Sequence, residues 1–203
     1  MLRIIAGELG GRRLRAPTGR STRPTADRVR EALFNILGPP ADAAWVLDLY
    51  AGSGALGIEA LSRGAQHAVF VDADARACQQ IRDNLRSLGL SARGTVLCGR
   101  VLSLLPQLAS RPFSPFSWVF ADPPYVSDEP AQLLSRLARG ALLANDAVLV
   151  CERATRDADS LSQAADQPAL QGLLTLTDRR RYGDTALLFF SKTPSSAQPM
   201  EGP

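Results

Sequence analysis

Two rhythms of apolar and polar positions run along this chain. From residue 45 onward, short continuous apolar runs alternate with stretches of helical spacing. WVLDLY (45–50), HAVFVDA (67–73), GTVLCG (94–99), WVFAD (118–122) and AVLVCER (147–153) are the runs. GIEALSRG (57–64), ARACQQIRDNLRSLG (75–89), VLSLLPQLA (101–109) and PAQLLSRLARG (130–140) lie between them. The first rhythm predicts strands buried on both faces and the second predicts helices, so the pair predicts a doubly wound, mostly parallel sheet. Pro106 is expected to kink or break its short helix. Residues 157–171 read as helix or loop. LLTLTDRRRYG (173–183) and DTALLFFSK (184–192) are two β-runs joined tightly, an antiparallel pair that brings the strand count to seven.

The N-terminal stretch is different. Residues 1–22 are apolar fragments cut by glycine and arginine, the pattern of a small β-hairpin with a basic rim. TADRVREALFNIL (25–37) follows as a helix, with Thr25 in the cap position and Val29, Leu33, Phe34, Ile36 and Leu37 on its apolar side; Gly38-Pro39-Pro40 closes it. The expected division is a hairpin-and-helix extension over 1–40, an α/β domain over 41–192 and a polar, proline-rich, disordered tail over 193–203.

The first strand runs into Gly52-Ser53-Gly54-Ala55-Leu56-Gly57, and Asp72 stands at the end of the next strand. Glycines after a strand let a ligand approach the backbone, and a carboxylate about 20 residues on can take both hydroxyls of a ribose. The pattern fits an adenosine cofactor, either a nicotinamide dinucleotide or S-adenosylmethionine. Asp48 adds a carboxylate beside the loop. It would repel a pyrophosphate and suit a sulfonium and an ammonium, or else it simply caps the loop.

WVFADPPY (118–125) supplies a discriminator. Proline offers no N–H and holds the preceding residue extended, so Asp122 should stand at a strand tip with Pro123, Pro124 and Tyr125 as a stiff corner. In an open α/β sheet that tip faces the same crevice as the glycine loop. The lone pair of a planar exocyclic amine is delocalised into its ring. The Asp122 carboxylate and the Pro123 carbonyl could accept its two protons and aim that lone pair at a methyl group. Tyr125 could stack on the base.

Composition narrows the setting. A hydrophobic content of 45% and a charged content of 21% are ordinary for a globular protein. No apolar stretch reaches the length of a membrane span, and MLRIIAGELGGRRLRAP lacks a signal-peptide core, so a cytoplasmic location is expected. Cys78, Cys98 and Cys151 are expected as reduced, buried thiols, and one histidine, His67, builds neither a metal site nor a triad. The net charge of +3 is uneven: residues 1–40 carry eight arginines against three acids, a balance of +5, which leaves −2 for the rest. Arginine forks onto phosphates and stacks on bases, so this end reads as a nucleic-acid surface.

In this order and spacing, VLDLYAGSGALGIEALSRGA, VFVDAD and ADPPY resemble a class I S-adenosylmethionine-dependent methyltransferase with an amino-methylation motif. RIIAGELGGRRL, RPTADRVREALFNIL and RRYGDTALLFF make the chain similar to the bacterial 16S ribosomal RNA guanine-N2 methyltransferases of the RsmD type, over roughly residues 2–192. The resemblance implies a Rossmann-like fold with S-adenosyl-L-methionine as cofactor. It places the cofactor on Asp48, Ala51, Gly52, Gly54, Asp72 and Ala73, and catalysis on Asp122, Pro123, Pro124 and Tyr125. It implies 16S rRNA in an assembled or assembling small subunit as the partner, held by Arg12, Arg13, Arg23, Arg28 and Arg30. Where many relatives have an acid or amide after the third strand, this chain has Arg100. No apolar face is left over, so a monomer is expected. A DNA adenine-N6 methyltransferase shares the motif, but no inserted target-recognition segment fits between the fourth and fifth strands. A nicotinamide-dependent oxidoreductase would need a proton relay that is not evident, and a non-catalytic RNA-binding protein of the small subunit stays open, with cofactor binding as the observation that separates it from an enzyme.

Overall fold

A computed structural model describes residues 2–15, 24–110, 113, 115–123, 129–159, 161, 170 and 172–193, with the side chains of 24–26 excepted. Its elements in chain order are α1 (Pro24–Leu37), β1 (Trp45–Leu49), α2 (Ala55–Ser62), β2 (His67–Asp72), α3 (Ala75–Ser87), β3 (Gly94–Cys98) and α4 (Val101–Ala109). They continue with β4 (Phe116–Ala121), α5 (Glu129–Arg139), β5 (Leu143–Ala154), a short 3-10 turn (Thr155–Asp157), β6 (Leu174–Tyr182) and β7 (Thr185–Lys192). The seven strands form one sheet in the order β3-β2-β1-β4-β5-β7-β6. The pairs β1–β2, β1–β4, β2–β3 and β4–β5 are parallel. β7 runs antiparallel between β5 and β6, so the sheet is mixed.

Both faces are covered, which is why the central strands are unbroken apolar runs. One face holds Leu47, Leu49, Val119, Leu149 and Cys151 with α4 and α5. The other holds Val46, Phe70, Phe120 and Leu187 with α1, α2, α3 and the N-terminal segment, whose Leu2, Ile4 and Leu14 are buried in the same cluster. That segment is a tight reversal: Ile4 N–H donates to Arg12 O at 2.9 Å, Leu14 N–H donates to Leu2 O at 3.0 Å, and Arg3 bridges antiparallel to Arg13. Glu59 of α2 fastens it, accepting from Ile5 N–H at 2.8 Å and Ala6 N–H at 3.0 Å. Phe34 of α1 stands edge-on to Trp118 and Phe120 at 6.1 and 5.6 Å.

Several expectations shift. α1 opens on Pro24, a residue preorganised for a first turn, so Thr25 lies inside the helix instead of capping it. Ile36 is 41% exposed, so the buried stripe narrows to Val29, Leu33 and Phe34, with Leu37 half-buried. α4 continues through Pro106. The carbonyl left without a partner by the missing proline N–H is that of Leu102, four residues back, and Arg136 Nη1 donates to it at 2.8 Å. Cys78 and Cys151 are buried, but Cys98 is exposed because it ends β3, the strand at the sheet's edge. In segment 157–171, Asp157 closes the 3-10 turn and 158–159 continue as helix. Residues 194–203, most of the expected tail, lie outside the described residues.

Candidate active site

β1 is the strand at which the chain order reverses, and its carboxyl end is where an α/β sheet opens a crevice. Leu49 pairs with Val71 on one side and with Ala121 on the other. The next residues, Asp72 and Asp122, therefore share one row across β1, two strand spacings or about 10 Å apart. That row is the spine of the site.

On the β2 side the glycine loop and the carboxylate interlock. Gly52 N–H donates to Asp72 Oδ2 at 2.7 Å, and Asp74 N–H donates to Asp72 Oδ1 at 2.8 Å. Each carboxylate oxygen thus holds one backbone donor and keeps lone-pair capacity for a hydroxyl. Gly52 and Gly54 take φ of 55° and 74°, the left-handed region that glycine enters without strain. Gly57 has another reason: a Cβ there would lie 2.3 Å from a ring carbon of buried Phe70, so only glycine lets α2 approach β2. Ala51 N–H joins β2 through Val71 O at 3.1 Å. Ala73 is exposed at the bend after Asp72, where Asp74 caps α3 by accepting from Arg76 N–H at 2.8 Å.

Asp48 is buried and accepts from Gly57 N–H at 2.9 Å. Burial pushes its carboxyl up to about 8; the Gly57 bond opposes this, and the charges of Asp72 and Asp122 add to it. So the acid does cap the loop, and it also belongs to a basin of three carboxyl groups at the ends of β1, β2 and β4. A pyrophosphate would be repelled there, whereas a sulfonium carrying an amino-acid ammonium meets complementary charge. The residues present fit S-adenosylmethionine.

On the β4 side, Asp122 is half-buried and Pro123 is buried just beyond the last pair, Ala121–Cys151. Pro124 and Tyr125 lie outside the described residues. Two groups here gave no motif. Arg153, near the end of β5 and only 4% exposed, donates from Nη1 to the Pro123 carbonyl at 3.3 Å. Tyr50, a non-glycine residue at φ 57°, donates its hydroxyl to Glu129 Oε1 at 2.9 Å, and burial followed by that carboxylate raises its phenol above the usual range. Left-handed strain at a bulky residue clusters at functional sites. Arg153 lay hidden in the run AVLVCER, where a charge within a buried strand was the available signal.

The arginines divide. Arg12 and Arg13 on the hairpin and Arg28 on α1 are exposed, and Arg23 lies outside the described residues. Arg30 is corrected: it is 5% exposed, donates to Arg3 O and Asp27 Oδ1, and lies 3.9 Å from Glu59. It braces the hairpin against α1 and presents nothing to a partner. The helical spacing places it three and four residues before buried Leu33 and Phe34, a signal that its side faces inward. Arg100 is exposed at the N-cap position of α4 and makes no side-chain cap bond.

With that geometry in place, likeness to known proteins becomes informative. The family model described as "Conserved hypothetical protein 95" matches residues 2–191. The chain belongs to this family. Ribosomal RNA small subunit methyltransferase D of Escherichia coli strain K12 is 39% identical over 151 residues, covering 74% of this chain and 74% of that protein. YlbH of Bacillus subtilis strain 168 is 38% identical over 191 residues, covering 94% of this chain and 99% of its own length. The solved structure of Escherichia coli yhhF superposes with a TM-score of 0.77 at 30% identity, over 96% of this chain and 99% of that one. The fold of the family is the class I methyltransferase fold expected from the motifs, with a mixed sheet.

Proposed function

We propose that this protein transfers the methyl group of S-adenosyl-L-methionine to the exocyclic N2 amine of a guanine in 16S rRNA of the small ribosomal subunit. The observation that supports the reading is the shared row of Asp72 and Asp122 across β1, which leaves one carboxyl group for a cofactor and another for an amine on the two sides of one crevice. Asp72 takes the ribose hydroxyls, Gly52 and Gly54 with Ala51 admit the cofactor to the backbone, and Ala73 borders the adenine. Asp48 faces the cationic end. The cofactor supplies an electrophilic methyl on sulfur.

The chain's own work is positioning. Asp122 and the Pro123 carbonyl accept the two amine protons and turn the nitrogen lone pair toward the methyl. Pro124 keeps the corner stiff, and Tyr125 stacks on the guanine. The carbon–sulfur bond breaks as the carbon–nitrogen bond forms. The amine becomes acidic only as it gains the methyl, and its proton then leaves by way of Asp122 to solvent. The target base must be unstacked to enter. Arg12, Arg13, Arg23 and Arg28, from the 1–40 extension, hold phosphates of the RNA. The protein acts as a monomer in the cytoplasm; among the described residues no helix is long and apolar enough to cross a membrane.

The test is transfer of labelled methyl into small subunits lacking this modification, into naked rRNA and into duplex DNA, followed by nucleoside digestion. N2-methylguanosine from subunits is the expected product. N6-methyladenine in DNA would overturn the substrate, and label in another nucleoside would overturn the N2 assignment.

A further inference from the structure

We infer that Arg153 is a positioning residue for methyl transfer, fixing the direction in which the Pro123 carbonyl presents its second lone pair. The inference rests on the reading of Asp122 and Pro123 as the amine acceptors.

The local problem is set by the two prolines. Pro123 has no N–H, and its carbonyl is bonded to the nitrogen of Pro124, which has none either. The β4–β5 ladder makes its last pair at Ala121 and Cys151. Past Asp122, neither Pro123 nor Pro124 offers a backbone N–H with which to hold the corner in register with β5. Extending the register sets Arg153 level with Pro123, and its guanidinium Nη1 reaches across to donate to the Pro123 carbonyl at 3.3 Å. Arg153 itself is fixed by the β5–β7 pairing, opposite Ala186. It is therefore anchored on a central strand and aims outward at the corner.

A carbonyl oxygen has two lone pairs. A planar, charged donor on one of them fixes the peptide plane and so fixes the other. An amine proton can then be accepted only along one direction, which is what aligns the nitrogen lone pair. Burying a guanidinium carries a desolvation cost, which its hydrogen bond to the Pro123 carbonyl offsets in part. The cation acts through the carbonyl and not on the amine, where a positive charge would oppose the one arriving with the methyl.

The test compares Arg153→Met and Arg153→Lys with the natural protein for S-adenosylmethionine affinity, KM for small subunits and kcat. In the methionine variant kcat should fall about 100-fold, the scale of an ~1 Å misplacement, with cofactor affinity and KM within about threefold. The lysine variant restores a cation without the planar fork and should recover about tenfold of that loss. A methionine variant with near-natural kcat, a loss appearing equally in cofactor affinity and KM, or a lysine variant no better than methionine would each overturn the assignment. If the methionine variant does not fold, the lysine variant decides alone: kcat lowered about tenfold at unchanged cofactor affinity supports it, and any other split overturns it. The nucleoside labelled by the natural protein tests the substrate reading separately, because the ratio of kcat values can be read on whichever amine accepts the methyl.

Discussion

The two flanks of β1 are built by opposite means. On the β2 flank, backbone N–H groups do the holding: Gly52 and Asp74 donate to Asp72, Gly57 donates to Asp48, and Gly99 N–H closes onto Asp72 O at 2.8 Å. On the β4 flank, two prolines remove the amides, and side chains take over. Arg153 reaches Pro123 from 30 residues away, and Tyr50 reaches Glu129 from 79 away. A flank held by its own backbone is preformed and tolerant of distant change. A flank held by side chains from other strands depends on each of them, so it can lose catalysis while its neighbour still binds cofactor.

The sharpest way to break the first flank is Asp72→Ala. It removes the carboxylate proposed to take the ribose hydroxyls and frees Gly52 N–H, and loss of two charge-assisted hydrogen bonds should weaken S-adenosylmethionine binding about 100-fold or more by titration calorimetry. Gly57→Ala drives a methyl into Phe70 and should lower stability by about 1–3 kcal/mol in denaturant unfolding, provided Phe70 shifts to make room.

Asp48 gives a pH signature. Its folded pKa of about 8 stands above the ordinary 3.8, so across that window the folded chain holds a proton that the unfolded chain has lost. Its contribution to stability therefore declines from pH near 4 to about 8 and is flat above. A cationic cofactor favours the ionised form, so binding expels the proton and affinity should rise by up to about tenfold per unit as pH climbs toward 8. Asp48→Asn should flatten both dependences; an unchanged slope would place the proton elsewhere. The smallest effect is on the RNA side: replacing Arg12 and Arg13 by glutamate should reduce the salt dependence of binding by about two phosphate contacts.

The contrast also explains what the sequence made legible. Strand and helix alternation, the glycine loop and the carboxylate after β2 are local signals, and the 20-residue spacing from Gly52 to Asp72 is the contact itself. The Asp122–Pro123 corner was legible because proline announces a strand's end. Its brace was not, since Arg153 reads as one charge in an apolar run until β5 is set beside β4. Arg30 differs from its neighbours for a related reason. Charge composition assigned it outward, while helical phase and the carboxylates of Asp27 and Glu59 turned it inward. A break of α4 at Pro106 is the local expectation, and the donor that keeps the helix whole, Arg136, comes from another helix where the sequence does not announce it.

On the proposed mechanism, Asp72 and Asp122 divide the labour, one holding the cofactor and the other the accepting amine. The most direct measurement is S-adenosylmethionine affinity and single-turnover methyl transfer in Asp122→Ala. Cofactor affinity within about twofold of the natural protein, with transfer slowed at least 100-fold, is the predicted result, the scale expected when a preorganised polar group is removed from the reacting centre. Transfer at the natural rate, or a loss explained wholly by weaker cofactor binding, would contradict it.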